Sequence, residues 1–266
     1  MKSGDSNFSG SIAALYDRLL GPMLFGPYAE DLARRVAAAA PDRILETAAG
    51  TGIVTETIAR AAPAATLVAT DLNHAMLDVA AARIAAPQLT FCQADAMSLP
   101  FPDGSFDVVA CQFGVMFFPD RVGAYREVLR VLRPGGRFLF SSWDRLEANP
   151  ASDLAARAVA ALYPDDPPDF FARVPFGYHD VTLVEADLRS AGFGRIKAET
   201  VAMRSRIGSA REAAIGLCQG TPLRSEIEAR GNLEAATAAA AAALAPLVGP
   251  DGLDAPMSAH LFSALS

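Results

Sequence analysis

The chain has 266 residues, of which 52% are hydrophobic and 20% are charged, and its net charge is −7. A chain of this length buries roughly 70–75% of its unfolded surface on folding, so one domain needs no disulfide or metal to hold it together. The acidic balance and the lack of a basic run argue against a nucleic-acid partner and against binding to an anionic membrane surface.

Neither a membrane span nor a secretory signal is predicted. The most apolar late stretch, Ala235 to Leu247, has about 13 residues, and a transmembrane helix needs about 20. The first twenty residues lack a basic start followed by an apolar run. The three cysteines are too few for a disulfide framework and have no metal-ligand spacing. We therefore expect a cytoplasmic protein without a bound metal.

The first 41 residues come before any strand pattern and are predicted to form an N-terminal helical lid. Two helices are predicted there, over Ser11–Leu20 and Pro27–Ala40. Proline is favoured at the first position of a helix, because its fixed backbone angle suits that position and its missing N–H group has no partner there. Pro27 is therefore expected to begin the second helix.

From Asp42 to Trp143, short β-rich runs alternate with helical stretches. Such alternation is typical of parallel strands whose crossover helices cover both faces of a sheet. Strands are predicted at Arg43–Thr47, Thr66–Thr70, Leu89–Gln93, Phe106–Phe113 and Arg137–Trp143, and helices at Gly52–Ala62, Asn73–Ile84 and Asp120–Leu132, with a turn at Arg133 to Gly136.

The remaining residues are predicted to complete the sheet after a long helical excursion. The elements are a helix over Pro150–Tyr163, an aromatic and proline-rich segment at 164–179, a helix from cap residue Asp180 to Gly192, a strand over Arg195–Ile207, a helical insertion at 209–247 and a last strand over Met257–Ala264. Together these patterns predict an α/β fold with a doubly wound, mostly parallel, Rossmann-like sheet of seven strands. The last strand is expected to be antiparallel. We place the lid at 1–41, the core at 42–208, and the insertion and last strand of the same domain at 209–266.

A glycine-rich segment, Glu46 to Gly52, follows the first predicted strand. Its glycines let the backbone turn tightly and approach a ligand closely. The next helix begins at once, so its free N–H groups face the same space. This arrangement favours a nucleotide-type pocket outside the carboxyl end of the strand, near the point where the strand order reverses. The alternative is an ordinary turn between a strand and a helix.

Acidic side chains end the second and third predicted strands. Asp71 lies 19 residues after Gly52, where a carboxylate accepts hydrogen bonds from two ribose hydroxyls. Its alternative role is to cap the helix that begins near Asn73. Asp95 is placed to accept from an exocyclic amine such as that of adenine, or else is a turn residue. After the fourth strand, residues 111–118 line the same pocket unless their aromatic rings pack in the core.

Two classes of cofactor suit this pattern, and the nicotinamide class fits less well. Nicotinamide binding favours G-x-G-x-x-G, but Thr55 stands where the third glycine is expected. A short-chain oxidoreductase also needs a Tyr-x-x-x-Lys pair, and the residue four before Lys197 is Phe193. An NAD(P)-dependent oxidoreductase is therefore kept only as the weaker alternative.

Taken together, the motifs resemble class I S-adenosylmethionine-dependent methyltransferases, of the broad family that includes the ubiquinone/menaquinone-biosynthesis methyltransferases. The resemblance covers about residues 40–142. One departure is Ala48, where the family often has glycine, because a methyl group there narrows the loop. The matching residues are the loop Glu46-x-Ala48-x-Gly50-x-Gly52, Asp71, Asp95-Ala96, Phe106-Asp107-Val108-Val109 and Leu132-Arg133-Pro134-Gly135-Gly136.

The resemblance implies that S-adenosylmethionine is the cofactor, that S-adenosylhomocysteine is the product, and that the sulfonium methyl passes in line to a small-molecule acceptor. Each implied contact belongs to one part of the cofactor. The implied cofactor-binding residues are Glu46 and Ala48 in the loop, Gly50, Thr51 and Gly52 at the methionine part, Asp71 at the ribose hydroxyls, Leu72 on the adenine face, Asp95 and Ala96 at the adenine edge, and Gln112 and Phe113 near the sulfonium.

Further aromatic side chains are candidates for contact with the acceptor. An aromatic pocket bounded by prolines favours an apolar or ring-bearing acceptor. A general base is needed only if the nucleophile arrives protonated, and His179 is the candidate, with a turn residue beside Asp180 as the alternative. A non-catalytic protein that binds the cofactor or its product is the second function considered, and a monomer or a homodimer would fit. The acceptor candidates are Tyr16, Phe25, Phe117, Trp143 and Phe176.

Overall fold

A computed structural model describes Asp5 and residues 11–266. Residues 1–4 and 6–10 of the predicted lid lie outside the described residues. The helices are α1 (Ser11–Leu15), a π-helical segment (Tyr16–Phe25), α2 (Gly26–Ala38), α3 (Ile53–Ala61), α4 (His74–Arg83), α5 (Arg121–Val131), α6 (Pro150–Ala160), α7 (Phe170–Arg173), α8 (Val181–Ala191), α9 (Ala210–Gln219), α10 (Leu223–Glu228) and α11 (Leu233–Leu244). Short 3₁₀ turns occur at Val115–Phe117, Leu146–Ala148 and Ala245–Leu247.

The strands are β1 (Arg43–Glu46), β2 (Thr66–Asp71), β3 (Leu89–Gln93), β4 (Phe106–Gln112), β5 (Leu132–Trp143), β6 (Arg195–Ile207), β7 (Val248–Gly249) and β8 (Gly252–Leu265). They form one sheet in the order β3-β2-β1-β4-β5-β8-β6, with β7 paired to β8. The first five strands pair in parallel, and β8 is antiparallel to its neighbours. The predicted doubly wound, mostly parallel sheet with an antiparallel last strand is confirmed.

The strand order reverses between β1 and β4, which are neighbours in the sheet although β2 and β3 lie between them in the chain. In open α/β sheets, ligands bind outside the carboxyl ends of the strands at such a reversal. Both strands are apolar runs that are buried almost throughout, as expected for strands covered by helices on both faces. The reversal therefore lies at the end of β1, where the glycine-rich segment begins.

The core beside β1 explains why this strand is a stable base for the site. Ile44 of β1 packs with Leu32 and Val36 of α2 and with Val54 and Ile58 of α3, and all five side chains are buried. Burying a large aliphatic side chain stabilises the fold by about 1.5–3 kcal/mol. Packing against α2 and α3 thus fixes the position of β1 immediately before the loop begins.

The N-terminal helices differ from the prediction of two helices over Ser11–Leu20 and Pro27–Ala40. The chain is instead helical from Ser11 to Ala38, with the π-helical segment between α1 and α2. Pro22 lies inside that segment and has no N–H group to continue an α-helix. The N–H of Gly26 donates to the carbonyl of Gly21, five residues earlier, which is the widened spacing of a π-turn. Pro27 is therefore the second residue of α2, which follows the π-helical segment without a break.

Two sheet boundaries also differ from the prediction. The predicted turn from Arg133 to Gly136 belongs to β5, which has a register shift between its pairs with Phe106 and Val108. Gly135 has a φ of 80°, which allows the strand to bulge while pairing continues. The last strand begins at Gly252, before the predicted Met257, because β7 and β8 form a hairpin. The sheet thus has eight strands and not seven.

The chain divides into two compact units. The sheet unit comprises Tyr28–Ser142, Tyr178–Val201 and Ala259–Ser266, and contains β1 to β4 with α3, α4, α5 and α8. The helical unit comprises the described part of Met1–Pro27 with Trp143–Gly177 and Ala202–Ser258, and contains α1, α6, α7 and α9 to α11. Between residues 11 and 266, no helix is long and apolar enough to cross a membrane.

Candidate functional site

The loop after β1 is shaped by left-handed backbone conformations. Ala48, Gly50 and Gly52 have φ values of 54°, 57° and 82°. Gly52 could not carry a side chain, because a Cβ atom built there would lie 2.8 Å from the Cβ of Ala80 and 2.6 Å from a methyl group of Ile84. The glycine therefore allows the start of α3 to pack directly against α4.

Backbone hydrogen bonds tie this loop to both neighbouring strands. The N–H of Thr47 donates to the carbonyl of Ala110 at 2.9 Å, and the N–H of Ala49 donates to the carbonyl of Thr70 at 2.9 Å. The N–H of Gly50 donates to Oδ2 of Asp71 at 2.8 Å. The loop is therefore held across the carboxyl ends of β4, β1 and β2.

Asp71 joins two loops through its two carboxylate oxygens. Oδ2 accepts from Gly50, and Oδ1 accepts from the N–H of Asn73 at 2.8 Å. The cap of α4 is Asn73, whose side chain accepts from the N–H of Ala75 at 3.0 Å. Asn73 is therefore the cap residue of α4, and Asp71 contributes only by accepting from the N–H group of that cap residue. Each carboxylate oxygen retains a further lone pair, and the neighbouring Leu72 side chain is 59% exposed.

Several buried polar atoms in this loop have no hydrogen-bond partner. Glu46 is only 1% exposed, and its Oε2 atom has no partner among the described residues. Among the described residues the hydroxyl groups of Thr47, Thr51 and Thr55 also lack a hydrogen bond of normal geometry, although those of Thr47 and Thr55 lie close enough to Cys111 and Glu46 to lower the pKa of those groups. Most buried polar atoms in folded proteins are paired, so a cluster of four is unusual. The cluster fits a ligand that supplies hydrogen-bonding groups at this loop.

The electrostatics of the loop are dominated by buried acidic groups. Burial raises the pKa of Glu46 to about 8, with a further rise from the charge of Asp71 and an opposing effect of the Thr55 hydroxyl. Burial also raises the pKa of Asp71, against the effect of its backbone N–H donors. The pKa of the buried Cys111 thiol is raised to about 12 for the same reason, so the thiol stays neutral.

Asp95 forms a tight turn at the end of β3. Its Oδ1 accepts from the N–H of Met97 at 2.9 Å, and its carbonyl accepts from the N–H of Ser98 at 2.9 Å. Asp95 and Ala96 are both half-buried. The Gln93 side chain donates to the carbonyl of Leu72 at 2.9 Å, which links the loops after β2 and β3. The structure therefore brings these two predicted cofactor segments side by side.

The segment after β4 closes the other side of the loop. The N–H of Phe113 donates to the Ser141 side chain at 3.3 Å, and its ring packs edge-on against Tyr28 with centroids 5.3 Å apart. A Cβ atom built on Gly114 would lie 2.5 Å from the Cβ of Ala48. The methyl group of Ala48, which departs from the family pattern, thus fits because residue 114 has no side chain. Gln112 is half-buried beside them.

Sequence reasoning did not find the roles of three residues that shape the site. Gly114 was included only as part of the pocket-lining segment 111–118, Tyr28 stands in no recognised motif, and only their spatial neighbours reveal what the two residues do. Thr55 was noted only for occupying the position of a third glycine, yet its hydroxyl faces Glu46 closely enough to affect the pKa of that carboxyl group. A polar residue in the first turn of α3, where the loop N–H groups converge, is the feature that could have indicated it.

Four of the five predicted acceptor residues form one aromatic cluster in the helical unit. Tyr16 stacks on Phe25 at 4.8 Å, Phe25 lies 6.2 Å from Trp143, and Trp143 lies 5.8 Å from Phe176, measured between ring centroids. Tyr16 is half-buried and the other three are buried. Phe117, the fifth, is half-buried in the sheet unit. The acceptor role of these residues stays a prediction.

The candidate base His179 is exposed and lies immediately before Asp180. Asp180 caps α8 as expected, because its side chain accepts from the N–H groups of Thr182 and Leu183. The residue before it, Tyr178, is buried, and its hydroxyl donates to Asp187 at 2.6 Å. His179 is thus held at the start of α8, and its role as a base stays a prediction.

Comparison with known proteins identifies the central part of the chain. Residues 45–140 match a family model described as a methyltransferase domain. The chain is 38% identical over 161 residues to a demethylmenaquinone methyltransferase of Deinococcus radiodurans, covering 58% of this chain and 64% of that protein. It is 39% identical over 121 residues to a ubiquinone/menaquinone biosynthesis C-methyltransferase of Ectopseudomonas mendocina, covering 44% of this chain and 46% of that protein.

A solved structure extends the likeness in fold beyond these segments. The YcgJ protein of Bacillus subtilis superposes with a TM-score of 0.59 at 21% identity, covering 90% of this chain and 98% of that chain. The sequence matches span less than two thirds of the length of the curated relatives. The residues that match the methyltransferase domain, 45–140, contain the loop after β1, Asp71 and Asp95. Residues 45–140 of this chain therefore match a methyltransferase domain, and this part of the chain is similar to ubiquinone/menaquinone-biosynthesis methyltransferases.

Proposed function

We propose that the protein is a methyltransferase that uses S-adenosylmethionine and acts on a small-molecule acceptor. The observation that carries this proposal is the cluster of unpartnered buried polar atoms of Glu46, Thr51 and Thr55 beside Asp71. It lies at the carboxyl edge of the sheet, where the strand order reverses. The match of residues 45–140 to a methyltransferase domain supports the same conclusion.

In this proposal each loop binds one part of the cofactor. The backbone of Gly50 to Gly52 contacts the methionine part, Asp71 accepts from the ribose hydroxyls, and the exposed Leu72 side chain covers the adenine. Asp95 and Ala96 meet the adenine edge, while Gln112 and Phe113 lie near the sulfonium.

When bound, S-adenosylmethionine supplies a sulfonium methyl group that is already activated for transfer. The task of the chain's own residues is to align the acceptor with that methyl group and to exclude water.

For the acceptor we propose an apolar or ring-bearing molecule, with the cluster of Tyr16, Phe25, Trp143 and Phe176 as its binding surface. The names of the relatives support a quinone-type acceptor, since demethylmenaquinone appears in one of them. His179 is the proposed base for an acceptor that arrives protonated. We further propose that the protein is cytoplasmic and that it is a monomer or a homodimer.

The cofactor class is tested by calorimetric titration with S-adenosylhomocysteine, with NAD titrated in parallel. We expect micromolar binding of S-adenosylhomocysteine and a loss of at least tenfold in Asp71→Ala, because this change removes the acceptor of the Gly50 N–H and of the ribose hydroxyls. The matched control is Asp78→Ala, which removes the same charge from an exposed position on α4. Preferential binding of NAD would contradict the proposal.

A methyl-transfer assay distinguishes an enzyme from a protein that only binds the cofactor. With binding established, the protein is incubated with donor labelled in the methyl group and a panel of ring-bearing acceptors that includes demethylated quinols. Label in an acceptor supports the methyltransferase. Binding without transfer to any acceptor would favour the non-catalytic alternative.

A further inference from the structure

We propose that Glu46 holds a proton in the ligand-free site and releases it to solvent when the positively charged methyl donor binds. Binding of the donor is then linked to the loss of a proton, and Glu46 helps to distinguish the donor from its demethylated product. This inference rests on the proposed cofactor class, and it assigns Glu46 a role in specificity that simple contact with the cofactor would not give it.

The surroundings of Glu46 contain acidic groups and no cation within ion-pair distance among the described residues. From β2 it faces Asp71, from β4 the thiol of Cys111, and from α3 the hydroxyl of Thr55. Arg83 of α4 contacts the loop elsewhere, because it donates to the carbonyl of Thr51 at 2.8 Å and lies 3.4 Å from Glu56. Burial and the neighbouring carboxylate of Asp71 therefore both disfavour the ionised form of Glu46.

Hydrogen bonding decides which of the two carboxyl groups keeps the proton. Asp71 accepts from the backbone N–H groups of Gly50 and Asn73, and such bonds favour its charged form. Glu46 has only the Thr55 hydroxyl to favour its charged form, and its Oε2 atom has no hydrogen-bond partner among the described residues. The negative charge is thus better placed on Asp71, and the proton on Glu46. The pKa of about 8 for Glu46 agrees with this assignment.

The ligand changes this balance through its charge. The donor carries a sulfonium and an ammonium group against one carboxylate, so it is a net cation, while the product has lost the sulfonium charge. A cation brought to a buried carboxyl group favours the ionised form and lowers its pKa. Between the pKa of the complex and about pH 8, binding of the donor therefore expels the proton of Glu46. The neutral product lowers this pKa less and releases a smaller fraction of a proton.

Calorimetry in two buffers with different ionisation enthalpies measures this proton directly. We expect the binding constant of S-adenosylmethionine to rise by up to tenfold per pH unit between pH 6 and about pH 8, and then to level off. The donor's own ammonium group titrates as well, with a pKa of about 7.7–8.0 for an ordinary α-amino group. Below about pH 7 this ammonium group stays protonated in both proteins, so the difference in released protons between the wild type and Glu46→Gln measures Glu46 there.

A second variant tests the direction of the effect and remains informative if Glu46→Gln does not fold. The Thr55 hydroxyl lowers the pKa of Glu46, so Thr55→Val should move the levelling of the binding curve to higher pH. Thr57→Val is the matched control on the same helix, because the Thr57 hydroxyl donates to the carbonyl of Ile53 and does not face Glu46. This control should leave the pH of the transition unchanged.

The outcomes separate this inference from the proposed function. Donor binding with the same number of released protons in the wild type and in Glu46→Gln would overturn the linkage while leaving the cofactor class intact. An unchanged transition in Thr55→Val would overturn it as well. If neither donor nor product binds the wild type at any pH, the proposed function itself fails, and the inference fails with it.

Discussion

At the scale of single residues, the contact between Ala48 and Gly114 limits how closely the loop after β1 approaches the end of β4. Both residues are fixed by their backbones, Ala48 at a φ of 54° and Gly114 by the end of β4. A side chain at 114 would meet the Ala48 methyl group at 2.5 Å and the sulfur of Cys111 at 2.8 Å. Neither contact can be relieved by a simple rotation of a long side chain.

We therefore predict that Gly114→Ala lowers the free energy of unfolding by about 1–3 kcal/mol, as overpacking of a core commonly does. It should also weaken binding of S-adenosylhomocysteine, because the loop that holds Gly50 to Gly52 is pushed away. Urea denaturation and calorimetry check the two effects. The double variant Ala48→Gly with Gly114→Ala should recover part of the loss, since the methyl contact is removed. No loss in the single variant would contradict this account of the contact.

At the scale of elements, α5 holds the connection between β3 and β4 through one arginine. Arg130 donates to the carbonyls of Leu99 and Phe101 at 2.9 Å and 2.7 Å, and to the carboxylates of Glu127 and Asp103. The planar guanidinium serves all of these acceptors in a fixed geometry. The connection follows the turn that contains Asp95, so its position bears on the predicted adenine contact.

Arg130→Lys is expected to lower the free energy of unfolding by about 1–3 kcal/mol, because an ammonium group cannot replace the fork and leaves partly buried carbonyls without donors. Arg126→Lys is the matched control on the same helix, since Arg126 is exposed and makes one longer bond to the carbonyl of Ser190. Chemical denaturation of both variants gives the comparison. An equal decrease in the free energy of unfolding in both variants would mean that the hydrogen bonds of the Arg130 guanidinium group do not stabilise the fold.

At the scale of the whole molecule, the helical unit gathers segments that are far apart in the chain. Arg173 contacts both oxygens of Asp5, at 2.5 Å and 3.0 Å, and also Asp169 and Glu226. Asp5 is buried, and this arginine gives its carboxylate two charge-assisted hydrogen bonds. The network ties Asp5 and α10 to the aromatic segment 164–179, which contains Phe176.

Removing Arg173 should therefore unfold the helical unit more easily. We predict that Arg173→Met lowers the free energy of unfolding by about 3–5 kcal/mol, because it removes one partner of a buried ion pair. The matched control is Arg157→Met, whose ion pair with Asp153 is exposed on the arginine side, with an expected loss of at most about 1 kcal/mol. Denaturation monitored by circular dichroism tests both. Similar small losses in the two variants would refute the assigned role of Arg173.

Local patterns were sufficient to predict most of the fold and where the candidate site begins. The apolar runs of β1 to β4, separated by helical stretches, predicted the parallel sheet, because alternation of this kind permits few other arrangements. The glycines after β1 and the aspartates after β2 and β3 were found because each follows a strand end directly. Parallel strands bring their carboxyl ends to one edge, so residues distant in the chain were expected to meet there.

The sequence by itself therefore determined the class of fold, the resemblance to methyltransferases and the loops at which a cofactor is expected. Only the tertiary structure decided that Ala48 is accommodated by Gly114, that Tyr28 packs on Phe113, and that Glu46 is buried beside Asp71 with its pKa raised to about 8. It also decided that a π-helical segment replaces a break between the first helices. The physical reason is that packing, burial and pKa depend on neighbours in space, whereas motifs and periodicity report only neighbours along the chain.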